Sequence, residues 1–420
     1  MEVKKKYASL FKTLGPGFLL AGAAIGVSHL VQATRAGADY GLIMIWFLVL
    51  ACISKYPFLE FGPRYFASTG KNLISGYKAL GKFPFYSYIT ITLGTMFVIQ
   101  ASVTVVTAGL AEQLFGFGFS AFIWSIIILG FCIALLLIGK YPGLDLSMKT
   151  IVTFLALVTL IAVIMSSGTE AASVSVNREP PSIWNLTGFA FIISFMGWMP
   201  IPIDASIWHS IWAKAKSAQN GRMPSTKNAF VDFNVGYLSA AIIGLLFLLL
   251  GFFVMFGTEK HFSTNSVAFS AQLIDLYGQT LGEWSKSIIS VAAFVTMLST
   301  TLTVTDAYPR VFSELFYSEE AETKVSSSKK WNVYWVCILI VPALALCILF
   351  FMGTSFTRLI DFATALSFLS APFLAWFNYK LVTGSQMAEK DKPGKNYRAF
   401  SLFCFGLLVA FTIFYLYSIS

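Results

Sequence analysis

Gly15 to Gly41 reads GPGFLLAGAAIGVSHLVQATRAGADYG, and this stretch decides the fold. It is apolar enough to enter a bilayer, yet Gly26-Val27-Ser28-His29 stands at its middle. An ionisable histidine at membrane depth carries a desolvation cost, so it is expected to face a protein-lined cavity rather than lipid. Glycine and serine let a helix unwind there, which frees backbone carbonyls and amides to act as ligands. A second interrupted span follows later in the chain, Gly197-Trp198-Met199-Pro200-Ile201-Pro202-Ile203-Asp204-Ala205-Ser206. Two prolines one residue apart break a helix, because each removes an amide donor and clashes one turn back. Two broken spans in corresponding places of two halves point to a transporter binding site between them.

Composition fixes the class around these two stretches. Hydrophobic residues make up 57% of the chain and charged residues 12%, far from the balance of a soluble domain. Long apolar runs recur from end to end, which reads as a polytopic helical membrane protein. The net charge of +9 sits in the connectors between those runs, which is the positive-inside pattern and excludes nucleic acid as a partner. The basic start, MEVKKKYASLFK, runs on into the first span, so it is read as part of that span rather than as a cleaved leader. Cys52, Cys132, Cys337, Cys347 and Cys404 lie within or beside apolar runs, with no spacing of a zinc site, and are expected to be buried free thiols.

Hydropathy predicts eleven spans near 15–36, 41–66, 84–113, 119–138, 147–167, 185–213, 229–256, 284–313, 332–352, 356–381 and 399–418. Alternate connectors carry the lysines, with Arg178, Lys260 and Arg358 the main exceptions on the other set. An odd number of spans with that bias places the amino terminus in the cytoplasm and the carboxyl terminus outside the inner or plasma membrane. Spans 1–5 and 6–10 form two sets of five, each starting with its broken helix. An odd number per set gives the two sets opposite orientation, the logic of an inverted repeat. The chain, 1–420, is thus expected to be one transmembrane transporter domain with repeats of about 15–167 and 185–381 and an extra helix 399–418. The connector 257–283 has room for a surface helix, and Ser318–Lys330 reads as a polar loop.

Several segments resemble one family. Gly15-Pro16-Gly17-Phe18-Leu19 and Asp39-Tyr40-Gly41 look like the first helix of the natural resistance-associated macrophage protein (NRAMP) family. Trp208-His209-Ser210 is similar to that family's Leu-His-Ser in span 6. Asp232-Phe233-Asn234-Val235-Gly236 and Leu298-Ser299-Thr300-Thr301 fall where the family has related motifs in spans 7 and 8. The resemblance implies a LeuT-type fold of five plus five helices and import of manganese or iron together with protons. The family's metal-holding motifs differ here. Its Asp-Pro-Gly-Asn aligns with Gly26-Val27-Ser28-His29, its Met-Pro-His with Pro202-Ile203-Asp204, and its acidic pair of helix 3 with Gln100 and Val103. A carboxylate, an amide and a thioether, the donor set for a transition metal, are replaced.

The candidate substrate-binding residues are therefore Gly26, Ser28, His29, Pro202, Asp204 and Gln100. A packing kink is the plain alternative for Gly26–His29, since Gly22 and Gly26 share small-residue spacing. His209, Thr300 and Thr301 are candidates for coupling, with Thr303 beside them, because sodium favours hard hydroxyl oxygens. No resident metal site and no cofactor are expected; the coupling ion is H+ or Na+. The alternative metal pair is His29 with Asp204. Asp306 next to Arg310 and Asp361 next to Arg358 predict local ion pairs. Together these features describe a monomeric secondary transporter of a small polar solute. A proton-coupled divalent metal importer with a rebuilt site is the alternative. An intramembrane enzyme or a non-transporting receptor fits less, since no His-Glu-x-x-His or Gly-x-Ser-x-Gly motif is present.

Overall fold

The computed structural model describes residues 16–138, 141–168, 180–258, 260–316, 324–352 and 355–419. Among the described residues the regular structure is helical throughout. Span 1 is α1 (Pro16–Ala24), a π-helical turn (Ser28–Ala33) and α2 (Thr34–Tyr40). Next come α3 (Ile43–Thr69), a short α4 (Leu73–Leu80), α5 (Lys82–Phe115), α6 (Ala121–Ile138) and α7 (Tyr141–Ser166). Span 6 is α8 (Leu186–Trp198) and α9 (Ala205–Asn220). The rest are α10 (Thr226–Met255), α11 (Ser266–Leu281), α12 (Trp284–Phe316), α13 (Lys324–Met352), α14 (Phe356–Thr383) and α15 (Lys395–Ile419).

Eight of the described helices are long and apolar enough to cross a bilayer. The remaining expected spans are α7 and the two interrupted ones, whose halves are too short to cross alone. The eleven-span, all-helical architecture with broken spans 1 and 6 is thus the observed one. Two short elements lie in connectors. α11 is the surface helix for which 257–283 has room, started by Asn265, whose side chain accepts from the amides of Val267 and Ala268. α4 is capped in the same way by Asn72, and hydropathy gives no sign of it. The expected loop Ser318–Lys330 is shorter than its composition suggests, because α13 already runs from Lys324; residues 317–323 lie outside the described set.

Span 1 is held in the centre of the bundle by α10, which packs along α1, the π-helical turn and α2. Small residues permit that approach. A Cβ at Gly37 would stand 1.9 Å from the Leu248 carbonyl oxygen, and one at Gly251 would stand 2.2 Å from that of Thr34. No side chain fits at either point, which is how two membrane helices come into backbone contact. Opposite, α8 packs on α14, and α9 on α3. The two interrupted spans therefore lie side by side within a shell of continuous helices. The five cysteines are free, but only Cys132 and Cys404 are buried, and Cys347 is exposed on a face that a bilayer would cover.

Candidate functional site

In span 1 the backbone ladder loses register at the glycine. The Gly26 amide donates to the Ala24 carbonyl at 2.9 Å, and the amides of His29 and Leu30 share the Gly26 carbonyl at 3.0 and 2.9 Å. The Thr300 hydroxyl of α12 lies 3.3 Å from the Gly22 carbonyl oxygen, 3.4 Å from that of Ile25 and 3.3 Å from that of Thr296. A hydroxyl has one hydrogen, so these three acceptors share a single donor at long range. Gly26 makes the approach possible: a Cβ there would meet Oγ1 and Cγ2 of Thr300 at 2.7 and 2.8 Å.

Ser28 and His29 close the other side of this break. The Ser28 hydroxyl sits 2.8 Å from the Ala24 carbonyl oxygen and 2.7 Å from His29 Nδ1. His29 Nε2 lies 2.8 Å from the Ala240 carbonyl oxygen on α10 and, since a carbonyl only accepts, carries the hydrogen. In the neutral ring Nδ1 then accepts from Ser28. Both ring nitrogens of this buried histidine are spent on the protein, and it faces α10 rather than span 6.

The break in span 6 is held differently. α8 ends at Trp198, the Met199–Pro200 peptide is cis, and helix resumes at Ala205 after Pro202, Ile203 and Asp204. Neither proline has an amide hydrogen, so the last carbonyls of α8 lose their usual donors. Lys55 of α3, 1% exposed, replaces those donors. Its ammonium donates to the carbonyls of Met196, Gly197 and Ile201 at 2.8, 3.2 and 3.0 Å. Asp204 is the carboxylate within electrostatic reach of it. Asp204 Oδ1 and Trp208 Nε1, one turn apart on the same helix start, are buried without a hydrogen-bond partner.

Between the two breaks lies a cavity of about 30 Å³, room for about one water. Ser28, Val103, Trp198, Pro202, Trp208 and Thr300 contribute to its wall. Among the described residues, no carboxylate, imidazole or thioether stands on that lining. Of the residues singled out from sequence, Ser28, Pro202 and Thr300 reach this cavity together. Gly26 acts through its contact with Thr300. His29 does not meet Asp204, because its ring is turned to α10. Gln100 is fully buried between α5 and α12, bonded to Thr104 and Thr305, while its neighbours Ile99 and Val103 face the cavity. Thr301 bonds to Thr107 at 2.7 Å, and Thr303 bonds back to Ser299 at 2.8 Å. His209 lines a separate cavity with Asp232, its Nε2 3.8 Å from the carboxylate and its ring stacked on Phe233.

Asp306 pairs with Arg310 at 2.6 Å as helical spacing predicts, and Tyr334 donates to its other oxygen at 2.7 Å. Asp361 does not pair with Arg358, which is exposed. It turns inward to Arg35 of α2 instead, at 2.9 and 3.2 Å, with Gln32 and Ser194 completing the cluster. A carboxylate at the edge of the core takes the partly buried guanidinium, since an exposed cation is already solvated. Lys55 and Arg35 are the functional-looking residues that the motif reading passes over. The available signal is simple: each is a cation inside an apolar run, a rare and costly placement.

The family model described as natural resistance-associated macrophage protein-like matches residues 17–418. The chain belongs to the NRAMP family. An uncharacterised protein of Pasteurella multocida is 33% identical over 394 residues, covering 93% of this chain and 89% of that one. The divalent metal cation transporter MntH of Staphylococcus saprophyticus is 24% identical over 316 residues, 71% of this chain and 68% of that one. Among solved structures, a point mutant of the Eremococcus coleocola manganese transporter superposes with a TM-score of 0.72 at 16% identity, covering 97% of this chain and 86% of that one. MhsT in complex with L-phenylalanine superposes with a TM-score of 0.63 at 13% identity, covering 96% and 98%. These likenesses give the LeuT-type fold. As an NRAMP-family member the chain is a secondary transporter in a membrane, not an enzyme, and works without a resident cofactor.

Proposed function

We propose that this NRAMP-family transporter carries a small polar solute by alternating access, and that the metal-selecting donors of its relatives are lost. One observation carries this reading: the cavity between the breaks offers hydroxyls, backbone groups and indole walls, with no carboxylate or thioether on its lining. A desolvated Mn2+ needs anionic or soft donors to repay its lost hydration, and that wall supplies neither. The carbonyls around Gly26, held only by long bonds to one hydroxyl, suit the positive end of a zwitterion, with Trp198 and Trp208 to cover its apolar part. Ser28, Pro202 and Thr300 are the contacts assigned to the solute. Gly26 shapes that site, and His29 and Asp204 act from behind it.

The alternative is proton-coupled import of a divalent metal through a site rebuilt from His29 and Asp204. The relatives named as a manganese transporter and a divalent metal cation transporter speak for it. The ring bonds of His29 speak against it. Coupling to H+ is in keeping with the family, and the Na+ version makes its own demand: uptake falls when sodium is replaced by choline, and Thr301→Val copies that loss. The repeats of about 15–167 and 185–381 are assigned as the units that move against each other, in a monomer of the inner or plasma membrane.

A thermal-shift screen of divalent metals, amino acids and other small solutes on purified protein, followed by uptake into liposomes, tests the substrate. Saturable Mn2+ binding in the low micromolar range, about −8 kcal/mol, that His29→Ala abolishes would favour the metal reading. For orientation, a cysteine at Thr264 is expected to react with an impermeant thiol reagent on intact cells and one at Ser327 to be protected. Reversed labelling would overturn the placement of the amino terminus in the cytoplasm.

A further inference from the structure

We propose that the Lys55 ammonium is the resident cation of the span 6 break, a tethered substitute for an exchangeable ion that also sets the charge preference of the adjoining cavity. The site is built. Three ammonium hydrogens meet three carbonyl oxygens at 2.8, 3.2 and 3.0 Å, so every donor has an acceptor. Met196 and Gly197 belong to the last turn of α8, where the helix dipole presents its negative end. Ile201 lies within the break and lines the cavity itself. Carbonyl oxygens converging on one point from a broken helix are the ligand set of a hard cation. Here that point holds the end of a side chain rooted on α3.

Among the described residues, the ionisable groups within electrostatic reach of Lys55 are Cys52 on its own helix and Asp204 at the start of α9. Asp204 keeps Oδ1 free of hydrogen bonds, so it acts on the ammonium as a charge rather than as a bonded partner. Two consequences follow. The break stays closed through the transport cycle without a bound ion, because a tethered cation is released to neither side. A positive charge behind Ile201 opposes a dication in the cavity and favours the negative end of a solute. The closed break does not depend on which solute is carried; the charge preference rests on the polar-solute reading.

Removing the tether tests it on the full-length protein in detergent. The parent's melting temperature is expected to be unchanged when sodium chloride is replaced by choline chloride at constant ionic strength. Lys55→Ala is expected to melt lower and to recover several degrees in methylammonium, which fits the vacated cradle with its three N–H donors. Tetramethylammonium, with no N–H, is expected to give no recovery. Lys55→Gln is one atom shorter, keeps an amide donor but drops the charge, and is expected to bind Mn2+ at least about tenfold more tightly than the parent. That arm stands if Lys55→Ala does not fold. Equal effects of the two ammonium ions, or a Lys55→Gln variant that binds Mn2+ no better than the parent, would overturn the assignment. A merely structural lysine predicts neither the N–H-selective rescue nor the change in metal affinity.

Discussion

The break in span 1 is held by neutral groups and the break in span 6 by a charged one. Around Gly26 the freed carbonyls share one threonine hydroxyl at 3.3 to 3.4 Å, and the rest of the turn rests on Ser28 and His29. Around Pro200 and Pro202 the freed carbonyls are saturated by an ammonium at 2.8 to 3.2 Å. Long neutral bonds exchange at small cost, whereas a buried cation separated from its acceptors is strongly penalised. The two halves of the site thus differ in how readily they let go. Span 1 is the half suited to move and span 6 the half suited to stay latched.

Breaking the latch is expected to have the largest effect. Lys55→Met leaves three buried carbonyls and the buried Oδ1 of Asp204 without their cation. Deleting one partner of a buried charged set costs about 3–5 kcal/mol. Most of the protein is then expected to be lost to aggregation on size-exclusion chromatography. A Lys55→Met protein that melts within a degree or two of the parent would remove the distinction between the breaks.

Gly26→Ala probes the neutral break. The added methyl carbon would stand 2.7 Å from Thr300 Oγ1, so either span 1 or α12 must shift. Overpacking of this kind costs about 1–3 kcal/mol. Thr300→Ala in the same chain takes away the clash, so the double variant is expected to be more stable than Gly26→Ala alone. Simple addition of the two effects in a double-mutant cycle would show that the contact is not tight.

His29→Gln is expected to cost somewhat less, about 1–2 kcal/mol, since glutamine keeps one bond of two and leaves one buried partner short. The decisive readout is uptake. If His29 serves only to dock the π-helical turn on α10, then His29→Gln lowers stability and leaves the pH profile of uptake as it was. A flattened profile would give the imidazole a part in coupling, through exchange of the Ser28 hydroxyl between Nδ1 and the Ala24 carbonyl.

How much of this is legible in the sequence depends on the range of the interaction. The breaks are, because glycine and proline act on their own backbone and need no partner to be read. The spans are, because bilayer thickness imposes a length on every apolar run. The partners are not. His29 looks like a ligand because an imidazole beside a break has two readings, and only the position of the Ala240 carbonyl on another span chooses between them. Helical spacing matches Asp361 to Arg358, yet Arg35, distant in sequence, lies closer in space. Lys55 escapes a motif reading because its function exists only once α3 and the end of α8 are side by side. Conversely, the aspartate of the second break stands out for a local reason, its place beside two prolines, while its relation to Lys55 needs the fold.

The smallest effect is expected at the ion pair that ties α2 to α14. Arg35 and Asp361 are 13% and 34% exposed, so water already screens part of their attraction and the pair contributes about 1 kcal/mol or less. Arg35→Gln also leaves Asp361 its bonds from Gln32 and Ser194 at 3.0 and 3.1 Å. The melting temperature is therefore expected to fall by no more than about 2 °C. Its value lies in what it reports about motion. α2 is the half of span 1 beyond the neutral break, and this pair is one of the ties it must release if span 1 moves. A cysteine at the buried position Ala36, in a background without the native thiols, is expected to react faster with a thiol reagent in Arg35→Gln than in the parent. Unchanged reactivity, with the pair already broken, would mean that span 1 is fixed by α10 rather than by its polar ties. The mobile half of the site would then have to be sought in span 6, against the strength of the Lys55 latch.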